Sequence, residues 1–580
     1  MKKQSYLTGA FILVIANLLV KVIGAVFKIP LANIIHEEGM AIFNTAYFLY
    51  ACMFVIATAG LPVAVSKMVS ASLAKKNYTE VNKIFKAALS LLALIGLAGA
   101  LVLFLGAKMF VGIVDSPDSY LSILAIAPAI FFVALLSAFR GYFQGFSDMV
   151  PTALSEVVEA LGKLVIGLLL AYLLMPTGVA NASSGAVLGV TAGTFFALVI
   201  MAITYVLKRK NQFPASALLQ AGTRSTKNIF VDLAKLAIPI TIGAAVTSLT
   251  NIIDMVMIRQ RLQTIIVSQE MFNTLTEFFG RSSSEVIIGQ AMQNKPAEVL
   301  YGAYSGYAIP MFNLPPTIIM SLSMSVVPFI SSAFAVKNMG EVKKLSESTL
   351  RITVLFALPC AIGLSVLSEP ILTAVYNNAR SASMLHILGL AVVFVSLVSV
   401  STAMLQGAGK VMIPVRNMAI GGVVKIITNF TLIAIPSINI GGAPVSTLLC
   451  YFVIATLNIV SVKKIMKSDL SFTGFILKPI IASAIMGIAA FGAYQVSAGV
   501  LGIAPMNLSL NFMPQTVPVT PLASALRFKV IIALGFSVLF AVIVYAIMVF
   551  VLRLIKHDDV LMLPKGEKIA KLLNKFHLLS

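Results

Sequence analysis

The sequence predicts an all-α polytopic membrane protein of about 14 transmembrane helices: two parallel-related six-helix lobes followed by two C-terminal helices. Three observations predict it: an apolar composition, unbroken apolar windows along the chain, and an internal repeat at one offset. Of the 580 residues, 59% are hydrophobic and 11% charged, with mean hydropathy +0.99, far from the range of soluble domains. About 20 apolar residues cross a bilayer core of about 30 Å as helix. The runs are continuous rather than alternating, which excludes a β-barrel.

The candidate spans cover residues 7–35, 40–70, 84–112, 119–142, 151–174, 183–207, 229–258, 301–334, 347–375, 384–406, 411–436, 441–462, 475–500 and 528–552. The first begins after a basic start, carries Lys21 and is followed by no small-residue cleavage site, so it reads as a retained helix rather than a signal peptide. With the N-terminus inside, and Lys86, Arg140, Arg351, Arg416 and Lys529 at span ends counted with the segments they flank, cytoplasmic segments hold 27 Lys and Arg, outer segments 7 and the spans 8. This asymmetry puts both termini in the cytoplasm of a plasma-membrane protein. The basic excess is then a matter of topology and of anionic lipid at the inner face, not of nucleic acid.

The repeat is read from two motifs. "KNYTEVNK" at 76–83 matches "KNMGEVKK" at 337–344, at an offset of 261. "QGFSDMVPTALSEVVEALGK" at 144–163 matches "QGAGKVMIPVRNMAIGGVVK" at 406–425, at an offset of 262, which sets Lys163 on Lys425. Six spans per copy is an even number, so the copies share one orientation, a transporter architecture with the substrate site between halves. A duplicated scaffold is the bland alternative. The organisation expected is an N-lobe at 1–210, a cytoplasmic linker at 211–228, a C-lobe at 229–466, two further helices within 467–555 and an amphipathic tail at 556–580 lying on the inner leaflet. The outer loop at 259–300 has room for short helices or a lid.

Cys52, Cys360 and Cys450 sit inside apolar runs and read as packing residues; His36, His386, His557 and His577 have no ligand spacing. No nucleotide loop or nucleophile elbow is present, so neither cofactor, metal nor enzymatic activity is expected.

The charges within spans carry the function. A charge near the bilayer centre costs at least about 2.5 kcal/mol and normally faces a protein interior or a wet cavity. Lys67, Lys108, Lys235 and Lys478 lie near span ends, where a long stem can reach the interface. In the first span Asn17, Lys21, Gly24 and Lys28 follow spacings of four, three and four, forming one polar face that ends at Pro30. It is either a cationic cavity wall or a packing face whose lysines pair with carboxylates. In the fifth, Glu156, Glu159 and Lys163 share a face; Glu159 and Lys163 neutralise each other at (i, i+4), or Lys163 meets substrate while the glutamates gate. The repeat keeps the lysine as Lys425, with Asn429 one turn on, and drops the glutamates. Asn251 and Asp254 share a face of the seventh span with Arg259 beyond, as a lysine counter-ion or part of a cation site. Asn44 and Asn313 are polar groups at membrane depth, and the Pro pair of "MFNLPP" predicts a broken eighth helix. Arg140 heads "RGYFQG" and either positions a phosphate through its bidentate fork or stands at the interface beside Tyr142.

These residues resemble a known family. The duplicated six-helix lobes with two extra helices, "LVKVIGAVFKIPLA" in the first helix and "RGYFQGFSDMVPTALSE" across the fourth and fifth are similar to the polysaccharide-transport branch of the MOP superfamily, in its SpoVB, YtgP and MurJ group from Gram-positive bacteria. The resemblance spans about residues 5–555, with RGYFQG its most specific part. It implies a V-shaped pair of lobes around a cationic central cavity, alternating access, and flipping of lipid II, the undecaprenyl-pyrophosphate-linked peptidoglycan precursor, toward the outer leaflet by a monomer. It also carries the basic pair of the first helix onto Lys21 and Lys28. The family's further arginines are missing: 41–66 holds no basic residue, and Tyr307, Ala308, Ile309 and Pro310 stand where a run ending in arginine is expected. Lys163, Lys425 or Arg140 would substitute. The rival readings are a cation-coupled multidrug exporter, which would use a monovalent cation at Asp254 and Glu159, a flippase for another polysaccharide lipid, and a wall-assembly scaffold.

Overall fold

The computed structural model describes residues 6–58, 60–75, 77–146, 148–212, 225–264, 296–435, 438–467, 476–503 and 522–555. Most of the linker, most of the outer loop and the amphipathic tail fall outside them. The chain forms two compact units, Met1–Gln260 and Arg261–Ser580. Among the described residues every regular element is helical, and ten stretches are long and apolar enough to cross a membrane.

The first unit holds α1 (Tyr6–Thr58), α2 (Leu61–Ala74), α3 (Tyr78–Val114), α4 (Tyr120–Gly145), α5 (Val150–Leu174), α6 (Val179–Gln212) and most of α7 (Thr226–Thr264). Its apolar core joins Val65 and Val69 of α2, Phe85 of α3, Tyr142 of α4, Met201 of α6 and Leu233 of α7. Along α3, Leu94, Leu101, Leu105 and Met109 recur at seven, four and four residues and are 46–77% exposed. Such an apolar outer row suits acyl chains rather than water.

Three expected boundaries differ. No loop separates the first two spans; α1 runs through both and breaks only at His36, whose φ of 55° and ψ of −166° belong to a region otherwise used by glycine. The second span ends early, with α2 beginning after Gly60. The ninth is divided at Leu367. In the last two cases a proline, Pro62 or Pro370, occupies the first turn of the new helix, where its missing N–H costs nothing. Hydropathy runs across all three breaks and cannot register them.

The second unit holds α8 (Pro296–Ala303), α9 (Ile309–Ala335), α10 (Met339–Val366), α11 (Ser368–Tyr376), α12 (Ala382–Gly407), α13 (Met412–Leu432), α14 (Gly442–Met466), α15 (Lys478–Leu501) and α16 (Ser524–Val551). The break expected at Pro315 and Pro316 is absent: α9 continues through both prolines, tolerating the lost bonds. The irregularity lies earlier, in a π-helical turn at Tyr304–Ala308 between α8 and α9.

The repeated motifs have matching backbones. Asn77 caps α3 by accepting from Glu80 N at 3.0 Å, and Asn338 caps α10 by accepting from Glu341 N at 3.2 Å, each amide also donating to its glutamate at 3.0 Å. After α4, Asp148 N bonds Phe143 O at 3.0 Å; after α12, Lys410 N bonds Leu405 O at 2.8 Å. Within "RGYFQG", Gly141 and Gly145 are a helical turn apart where α4 touches α2. A Cβ on either would come within 3 Å of Pro62 O or the Val69 side chain, so the small-residue pair permits the contact.

Candidate cationic site

The site lies in the first unit, on α1, α4 and α5. Lys28 points from α1 and Lys163 from α5, and both ammonium groups meet the ring of Tyr47. Lys163 Nζ lies 4.6 Å from its centroid and Lys28 Nζ 6.0 Å; Lys163 Nζ is also 4.8 Å from the Phe27 centroid. A cation over an aromatic face gains about 0.5–2 kcal/mol, more as water is withdrawn. Among the described residues, neither lysine has a carboxylate within ion-pair distance.

The aromatic side of the site is built by helical spacing. Beyond the His36 break, Phe43, Tyr47, Tyr50 and Phe54 follow at four, three and four residues, with neighbouring centroids 5.7–6.0 Å apart, and Phe27 joins Phe43 at 5.9 Å. Lys163 is positioned by the crossing of α5 and α6, where a Cβ on Gly162 would fall 2.5 Å from Gly193 Cα. Gly167, one turn beyond the lysine, leaves the space that the Phe27 ring fills.

Glu159 does not pair with Lys163. It accepts from Arg140 Nη2 at 2.9 Å, and Arg140 Nε donates to Ser155 Oγ at 3.0 Å, joining α4 to α5. Arg140 arrives from another helix with planar donors that reach Glu159 and Ser155 together, whereas Lys163, on the same helix as Glu159, lies over two aromatic rings. Glu156 Oε2 is buried and makes no hydrogen bond among the described residues.

The other candidates stand apart from this cluster. Lys21 and Asn17 are exposed on α1. Asn44 is buried on α1, and its neighbour Thr45 accepts from the fully buried Arg259 of α7 at 2.7 Å, so Arg259 ties two helices of one unit. Asp254 is half-buried on α7; the Asn251 side chain lies outside the described residues. In the second unit Lys425 and Asn429 are buried on α13, and Asn313 is exposed on α9. Reading residues alone missed Tyr47 and Phe27, since aromatics in an apolar run look like packing. It also missed the pair of Asp148, in the turn after α4, with Lys208 of α6.

Residues 6–334 match the family model described as polysaccharide biosynthesis protein. The chain belongs to this family, and with it to the MOP superfamily. Residues 302–431 also match the MatE model. Two Bacillus subtilis relatives cover most of the chain: the uncharacterized membrane protein YabM, 28% identical over 84% of this chain and 85% of its own, and the lipid II flippase MurJ, 27% identical over 83% and 87%. Among solved structures, an inward-closed lipid II flippase MurJ aligns with TM-score 0.57 at 15% identity, covering 93% of this chain and 97% of that one. An inward-facing multidrug resistance MATE transporter of the MOP superfamily aligns with TM-score 0.60 at 12% identity, covering 79% and 100%. The fold of this polysaccharide biosynthesis family member is thus a multi-pass transporter fold shared with flippases.

Proposed function

We propose that this membrane protein flips a lipid-linked oligosaccharide, the undecaprenyl-pyrophosphate-linked peptidoglycan precursor lipid II, from the inner to the outer leaflet for cell-wall synthesis. The observation that carries the reading is the meeting of Lys28 and Lys163 at one aromatic ring with no carboxylate bridging them. An anionic headgroup leaving water needs fixed positive charge, and ammonium groups held by aromatic faces offer it without an internal counter-ion to displace. The chain would act as a monomer, with lobes at 1–210 and 229–466, termini in the cytoplasm and anionic lipid at its inner face. The chain would alternate between inward-open and outward-open states, with Lys21 and Lys425 as further substrate cations.

A multidrug exporter is favoured by one feature, the buried and unbonded Glu156 oxygen, which would suit a cation. The two readings separate on depletion of the protein in cells fed a labelled peptidoglycan precursor. Labelled lipid II should accumulate inside and vanish from the outer leaflet; undiminished outer exposure would remove the flippase reading.

A further inference from the structure

Resting on the flippase reading, we propose that Tyr47 determines the site's specificity, holding two ammonium groups as a pair matched to two linked phosphates rather than one. Among the described residues, no ion pair holds either lysine. Lys28 and Lys163 arise from different helices, α1 and α5, and like charges in a partly dehydrated place repel. What they share is one ring, at 6.0 and 4.6 Å. Phe27 touches Lys163 alone, so it steadies one ammonium group without bringing the two together.

Tyr47 is itself held in register. Its ring stacks on Phe43 at 5.7 Å with planes 13° apart and meets Tyr50 at 6.0 Å, so it cannot turn aside without disturbing the aromatic row. The carboxylate one turn away on α5, Glu159, is bonded to Arg140 and makes no ion pair with either lysine. A diphosphate carries its charge on two adjacent phosphorus centres, each able to take one ammonium group. A single phosphate offers its charge at one centre, which the two ammonium groups would have to share. Without the ring the two stems would move independently, and each would treat a diphosphate as two separate anions.

The test measures anion binding to the purified full-length chain in nanodiscs by calorimetry, using inorganic pyrophosphate, orthophosphate and farnesyl diphosphate. The wild type and Tyr47→Phe should bind pyrophosphate about tenfold or more tightly than orthophosphate, since both keep the ring face. Tyr47→Leu should reduce that ratio to about threefold or less while orthophosphate binding stays, as the ring contributes through the pair. Thermal melting confirms folding, and Tyr47→Met replaces Tyr47→Leu should the latter not fold. A ratio retained in the leucine or methionine variant but lost in Lys163→Gln overturns the role of Tyr47 and leaves the flippase reading standing. A wild type that binds neither anion, or lysine variants that bind as the wild type does, overturns both. Farnesyl diphosphate should bind at least as tightly as pyrophosphate with the same dependence on Tyr47; its exclusion would assign the site to free diphosphates and overturn the lipid source.

Discussion

Arg140 of α4 and Glu159 of α5, 19 residues apart, close a 2.9 Å ion pair whose side chains are 11% and 22% exposed. Either residue alone would leave a shielded charge. Arg140→Ala and Glu159→Ala should each destabilise the protein by about 1–3 kcal/mol, and the double variant by less than their sum. A thermal-melting double-mutant cycle checks this, and strict additivity would mean that the pair contributes no coupling.

Lys28→Ala and Lys163→Ala should each lower lipid flipping about tenfold or more while leaving membrane abundance unchanged, since each removes one of two charges for the headgroup. Lys21→Ala should likewise abolish transport at normal abundance. Full activity of any of these variants in a reconstituted flipping assay would remove that lysine from the site.

If the empty carrier returns with net positive charge, an inside-negative potential draws it inward by about 2.3 kcal/mol per charge per 100 mV. Flipping in proteoliposomes should therefore slow when the potential is collapsed. Indifference to the potential would rule out this coupling.

Asn77 and Asn338 cap the first turns of α3 and α10 in the same way, so Asn77→Ala and Asn338→Ala should cost similar amounts, about 1 kcal/mol each. Serine at either position, which keeps a capping oxygen without adding charge beside the glutamate, should retain most of the stability. Melting temperatures decide it, a large inequality counting against equivalent caps.

Glu369 stands in the first turn of α11, where its Oε2 is buried and makes no hydrogen bond among the described residues. Burying a carboxylate oxygen without a partner is costly, so Glu369→Gln should stabilise the protein at neutral pH. Thermal melting checks this, and an unchanged or lower melting temperature would count against a costly buried carboxylate.

The helices were legible because an apolar window long enough to cross a bilayer has few other uses, and Lys28 and Lys163 were legible because charge there is costly. The repeat was legible in Asn77 and Asn338, whose side chains work locally, so their spacing to Glu80 and Glu341 carries the structure with it. Partner choice was not. Glu159 has an arginine from another helix and a lysine on its own within plausible reach, and only the folded geometry decides. Nor could the sequence distinguish Tyr47 from an aromatic that merely fills space. The His36 break escaped because hydropathy reports what a segment dissolves in, not where its backbone turns.

The crossing of α5 and α6 has a mechanical consequence. Gly162 and Gly193 bring the two backbones together with no side-chain layer between them, and such a layer is what lets packed helices shear. The two helices therefore form a stiff plate rather than two independent rods. The backbone of Lys163, fixed to that plate, moves only as the plate tilts, so a small rotation near the crossing becomes a larger displacement at the far ends of both helices.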